Sequence, residues 1–182
     1  MRNILLYRYT LLNALAIAWL SATEFQTQWF SKMVNTDITY ITHSILVFFA
    51  VVFVMSGYTM LVQNRDHRDF NDTPPRGPLV GSIRATNLDW IERAGMWMLM
   101  LGLIGTIRGL QISLEGVNTG NLATLDGVKA LAVQMISGLR IELATTLVGA
   151  GAFLWTEMNY TVIHHTAAQL AYDEERLMKE NA

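Results

Sequence analysis

Ile45-Leu46-Val47-Phe48-Phe49-Ala50-Val51-Val52-Phe53-Val54-Met55 is an unbroken apolar run inside a longer segment, Ile41–Val62, that contains no Asp, Glu, Lys or Arg. A hydrocarbon core about 30 Å thick needs about 20 mostly apolar residues for each helical crossing, and this segment meets that need. Working outward, Ile4–Ala22 qualifies on the N-terminal side, and Ala94–Leu114 and Leu139–Thr156 on the C-terminal side. Composition agrees: charged residues make up 15%, against about 25% in an ordinary soluble domain. The expected fold class is an all-α membrane protein with four transmembrane helices.

The four segments differ in kind. Ile4–Ala22 has Asn13 as its strongly polar interior residue, with Arg8 near its start. The third has an uncharged run only from Ala94 to Ile107, and the fourth only from Leu143 to Thr156; both are rich in Gly, Ala and Thr. Charges within a span are costly and usually face a bundle interior or water. The first two spans therefore read as peripheral and the last two as inner helices. Leu20-Ser21-Ala22 is a poor cleavage site, so the first span reads as retained rather than as a signal peptide.

Basic residues set the orientation. Residues 23–40 carry only Lys32 and residues 115–138 only Lys129, whereas residues 63–93 carry Arg65, Arg68, Arg76, Arg84 and Arg93. Both termini and the second connection are expected in the cytoplasm. The expected organisation is two peripheral helices over 1–62, a cytoplasmic connection over 63–92, two inner helices with a short outer loop over 93–163, and a cytoplasmic helical tail over 164–182. Pro74, Pro75 and Pro78 forbid a continuous helix across the connection, and residues 82–91 read as a helix feeding the third span. Residues 126–139 read as an outer helix feeding the fourth, which is expected to continue past Thr156 into the cytoplasm.

Several function classes are excluded. Lys and Arg number 13 against 15 Asp and Glu, so there is no basic face for nucleic acid. With no cysteine, disulfide scaffolds, Cys-ligated zinc and iron–sulfur clusters are out. No P-loop, dinucleotide fingerprint or Ser/His/Asp arrangement is present. The chain is expected to be no enzyme and to hold no metal or cofactor.

Two stripes at three- and four-residue steps carry the rest. On the third span they are Gly95, Leu99, Gly102, Thr106, Gly109 and Ser113, with Gly105 and Gly109 one turn apart. On the fourth they are Gly138, Glu142, Thr145, Gly149, Ala152 and Thr156, with Thr146 at the edge. Small residues let helices approach closely in lipid. Thr106, Thr145 and Thr146 either bond their own helix carbonyls or form a polar lining. Arg108 and Glu142 lie at similar depth and are expected to pair across helices or subunits; the other reading is an ion-path vestibule. His43 lies at the opposite end from His67, His164 and His165, which rules out a haem held between the two ends.

Leu101-Gly102-Leu103-Ile104-Gly105-Thr106-Ile107-Arg108-Gly109 resembles a Gly-Leu-x-Gly-Thr-x-x-Gly signature of the MotA/TolQ/ExbB proton-channel family, and residues 138–149 resemble its second signature. The resemblance covers residues 93–160. It implies a homopentameric ring in the bacterial inner membrane, with the third and fourth spans lining a pore. A dimer of a single-span MotB/TolR/ExbD-like subunit sits inside and brings the aspartate that carries H⁺, Na⁺ being the less favoured ion. By position Thr106 and Thr146 match the family's pore-lining threonines, with Thr145 an extra hydroxyl beside them. The connection over 63–92 leaves no room for the torque-transfer domain of the flagellar members. Two rivals stand beside this reading: a structural membrane scaffold that conducts nothing, and a membrane enzyme or redox subunit using His67, His164 and His165.

Overall fold

The computed structural model describes residues 4–36, 39–72, 88–115 and 124–180. All elements among them are helical: α1 (Ile4–Thr27), α2 (Trp29–Thr36), α3 (Ile41–Asp72), α4 (Asp89–Glu115) and α5 (Leu125–Glu180). Among the described residues, three stretches are long and apolar enough to cross a membrane: Ile41–Gln63 within α3, Asp89–Glu115, and Leu125–Gln169 within α5. The protein is thus an all-helical, membrane-embedded chain. The expected first span forms α1, which is not among these three. The prolines of the connection and most of the helix expected over 82–91 lie outside the described residues.

One boundary moves, and the expected continuity of the last helix is observed. α3 does not stop at Val62 but continues to Asp72, because nothing before the prolines breaks it. The outer segment, the fourth span and the tail are one helix of 56 residues, about 84 Å at ~1.5 Å per residue. Its glycines all fall at or before Gly151 and it has no proline, so no residue type in its later half interrupts the hydrogen-bond ladder.

The helices sort into two compact units. The first comprises residues 1–21, 50–95 and 154–182. Its core is Tyr9, Met60, Leu88, Ile91, Ile163 and Ala167, with Trp90, Tyr160 and Val162 packed against it. A buried polar clamp ties α1 to α5 there. One N–H of the Asn13 amide donates to the Tyr9 carbonyl at 2.9 Å and the other to Asn159 Oδ1 at 2.8 Å, while Asn13 Oδ1 accepts from Trp155 Nε1 at 2.7 Å. Asn159 in turn donates to the Trp155 carbonyl at 3.0 Å. Phe53 of α3 meets the Trp155 ring edge-on, centroids 6.3 Å apart. Asn13 is the only α1 residue besides Tyr9 that is fully buried among those described; Leu11, Leu15, Ile17 and Trp19 are exposed. α1 is therefore held by few contacts, and the clamp is chief among them.

The second unit comprises residues 22–49 and 96–153. Where α1 ends, Gln28 takes a left-handed conformation at φ 48° and turns the chain into α2. The Glu24 carboxylate caps α2: it accepts from the Phe30 amide at 2.8 Å, the Ser31 amide at 3.1 Å and the Ser31 hydroxyl. These donors are the groups a helix start leaves unsatisfied. The Ser31 hydroxyl, followed by the two amides and nearby Lys32, holds the Glu24 carboxyl below its ordinary value.

Two expectations follow. Asn13→Ala strands Trp155 Nε1 and the Asn159 amide oxygen, and should cost about 1–3 kcal/mol in thermal unfolding of the detergent-solubilised chain. A loss under ~0.5 kcal/mol would mean that the clamp does not hold α1. A carboxyl with a lowered pKa stabilises above its unfolded-state pKa, and that stabilisation disappears as the pH falls through the lowered folded-state value. Hydrogen-exchange protection factors at Phe30 and Ser31 should therefore be full near neutrality and decline under acid conditions. In Glu24→Gln they should be low and flat with pH.

Candidate functional site: the seam between α4 and α5

The two stripes expected from sequence are largely those the fold buries. On α4, Gly95, Met98, Gly102, Gly105, Gly109 and Ser113 are buried, with Leu99 and Thr106 at the margin. On α5, Gly138, Ile141, Thr145, Val148, Gly149, Ala152 and Thr156 are buried, with Glu142 and Thr146 at the margin. Within the second unit the helices run antiparallel and approach backbone to backbone. A Cβ on Gly102 would lie 3.1 Å from the Thr145 carbonyl oxygen and 3.2 Å from Gly149 Cα; one on Gly149 would lie 2.9 Å from the Met98 carbonyl oxygen. A Cβ on Gly109 would meet the Glu142 amide at 2.8 Å, and one on Gly138 the Gly109 carbonyl oxygen at 2.6 Å. These are backbone atoms that cannot turn aside. Glycine is required because the alternative is a wider gap, and between helices in lipid, van der Waals contact is the main source of attraction.

Gly105 serves a different end. Its missing side chain leaves the space that Thr145 fills: a Cβ there would lie 2.4 Å from Thr145 Cβ. Thr145 is fully buried and bonds its own helix, to the carbonyls of Ile141 at 3.0 Å and Glu142 at 3.1 Å. It is therefore a packing residue of the seam with its hydroxyl already engaged.

Thr106 and Thr146 are the pair the seam brings together. Their hydroxyls are in hydrogen-bond contact across the helices. Each also reaches one turn back, Thr106 to the Gly102 carbonyl at 3.2 Å and Thr146 to the Glu142 carbonyl at 2.9 Å. Each hydroxyl has one proton to donate and two lone pairs, so the one that donates across the seam gives up its own carbonyl, and the pair is a short polar bridge with acceptor capacity left. Both side chains are half-buried, and they are flanked by the exposed apolar residues Leu103, Ile107, Leu143 and Leu147.

The charges are arranged differently from the expectation. Arg108 does not pair with Glu142 within the chain. Its Nη1 lies 3.5 Å from Glu115 Oε1, seven residues along the same helix. The reason is helical rotation. Gly109 packs on the Glu142 backbone, so its neighbour Arg108 is turned about 100° off the seam and reaches along α4 toward the helix end. Sequence reasoning missed Glu115; the signal was the seven-residue spacing, two turns on one face.

The seam continues toward the end of α4. Ser113 donates to the Gly109 carbonyl at 3.1 Å, and Gln134 Nε2 donates to the Ile112 carbonyl at 3.1 Å. Among the described residues the histidines do not assemble. His164 and His165 are exposed; His164 packs on Tyr160 with centroids 5.4 Å apart, and His165 contacts Gln169 at 3.1 Å. Among the described residues no three His, Cys, Asp or Glu are grouped to hold a metal ion. The His67 side chain lies outside the described residues.

Compared with protein-family models, with curated proteins and with solved structures, the chain matches none.

Gly105→Ala should force α4 off Thr145 and cost about 1–3 kcal/mol in detergent unfolding. Gly151, whose Cβ would meet nothing within 4 Å, is the control: Gly151→Ala should be neutral or stabilise by up to ~1 kcal/mol through helix propensity.

Proposed function

We propose that the chain is the pore-ring subunit of an inner-membrane, proton-driven motor. It acts as a homopentamer around a dimer of single-span subunits that carry the titrating Asp. The observation that carries this reading is the hydroxyl bridge between Thr106 and Thr146, one from each of the two signature-like stretches. A polar pair set among apolar residues on a half-exposed helix face suits a lining that holds water near a moving carboxyl without fixing a charge. The described residues of α4 and α5 offer no carboxylate between Glu92 and Glu115 or between Glu142 and Glu157. A complete proton relay therefore needs a group from elsewhere. An Asp entering an apolar ring has its pKa raised by desolvation, so it crosses neutral and ionises where water reaches it.

In this reading α1 is a fourth crossing, its Asn13 satisfied by Trp155 and Asn159, and both termini lie in the cytoplasm. The later part of α5 forms the cytoplasmic tail. The chain has no catalytic role and needs no cofactor.

A specific observation favours the scaffold as second reading: both hydroxyls already donate to, or share protons with, groups of their own helices. The double substitution Thr106→Val with Thr146→Val separates the two. Removing both partners of a hydrogen bond while keeping shape is close to neutral for stability. The folded ring should therefore persist, while proton flux through ring and partner in proteoliposomes should drop at least tenfold. Undiminished flux, or native mass spectra in which the chain never takes up a single-span partner, would leave the scaffold as the better account.

A further inference from the structure

A groove of about 520 Å³ in the second unit is lined by Thr39, Ile41, Ile104, Arg108 and Ile112. It plays no part in the motor reading, since Arg108 is turned away from the seam. Ile104, Arg108 and Ile112 stand one turn apart on one face of α4, so the groove follows that helix for about 12 Å. Its volume falls in the range of ligand pockets, roughly 300–1,000 Å³. Its walls are mostly isoleucine, and its one charged side chain is Arg108.

Arg108 is poorly served by the protein. Its side chain is 46% exposed, and its ion pair with Glu115 is long, at 3.5 Å, with a partner 53% exposed. Such a pair is worth at most about 1 kcal/mol and uses few of the five guanidinium donors. A cation this close to lipid is costly unless it finds an anion. Phosphate oxygens, which an arginine fork binds well, are the anions a membrane supplies at helix ends.

We infer that this groove binds a membrane phospholipid, with its phosphate on Arg108 and the start of an acyl chain along Ile41, Ile104 and Ile112. The guanidinium selects the phosphate, and the isoleucine walls select a lipid over free phosphate. Glu115 competes with the phosphate for Arg108. The inference requires neither a ring, nor a partner, nor conduction.

The test is titration of the detergent-purified full chain with phosphatidylglycerol, read by native mass spectrometry. Arg108→Gln should retain about tenfold less lipid, the effect of one charge-assisted hydrogen bond. Ile104→Trp, which fills the groove and leaves Arg108 in place, should also lose it. Glu115→Gln should retain several-fold more, a gain that misfolding cannot produce. Equal retention by the wild type, Arg108→Gln and Ile104→Trp would overturn the inference. So would displacement of the lipid by millimolar inorganic phosphate, which would mark a plain anion site. A change of copy number in Arg108→Gln with lipid retention unaltered would overturn it too, by marking the face as a contact between copies of the chain.

Discussion

The close approach of α4 and α5 governs everything else in the second unit. Lipid tails are as apolar as leucine, so burial of apolar side chains gives two helices no reason to associate in a bilayer. Contact between backbones does, and it falls off steeply with distance. Gly102 against Gly149, and Gly109 against Gly138 and Glu142, bring the backbones to within reach of one another. Once those glycines face each other, the rotation of both helices is set. Thr145 then lies inside, Thr106 and Thr146 meet at the margin, and Arg108 points away. A different glycine register would have placed other side chains in each of those positions.

A second constraint shapes the rest: polar groups in lipid must find partners inside the protein. Three devices meet it in part, while the Gln63 amide and the Tyr9 hydroxyl are buried without a hydrogen-bond partner among the described residues. Hydroxyls bond a carbonyl one turn back, as Ser56 does to Val52 and Thr166 to Val162, each at 2.8 Å. The amides of Asn13 and Asn159 exhaust one another and the Trp155 indole. Arg108 reaches along its helix to Glu115. The first device is local and costs no contact between helices. The second uses polarity as attachment, which suits α1, a helix with little other buried surface.

Much of this was legible in the sequence because it depends on local pattern. Uninterrupted apolar length marks α3, and small residues at three- and four-residue steps mark the seam on α4 and α5. Thr106 and Thr146 stand out as hydroxyls beside those steps. What could not be read depends on distance in sequence. Asn13 was visible as a polar residue in an apolar helix, but its partners lie 142 and 146 residues away, and nothing local points to them. Thr145 and Thr146 are neighbours with the same side chain, yet one is packing and the other is bridge; only the facing helix distinguishes them. That Arg108 meets Glu115 rather than Glu142 within the chain has the same origin. Depth along the helix is legible, whereas rotation about its axis is decided by Gly109.

The Arg108 position also bears on how the protein enters the membrane. An arginine within a crossing adds a cost at insertion, about 2.5–3.5 kcal/mol at the helix centre and less toward an end, and the glycines of α4 add little apolar surface to offset it. As a single helix, α4 is apolar enough to cross a membrane but by a narrower margin than α3. The link to α5 is short, and α5 carries the surface that the α4 glycines fit. The economical route is for the two to leave the insertion machinery together, as a preassembled hairpin.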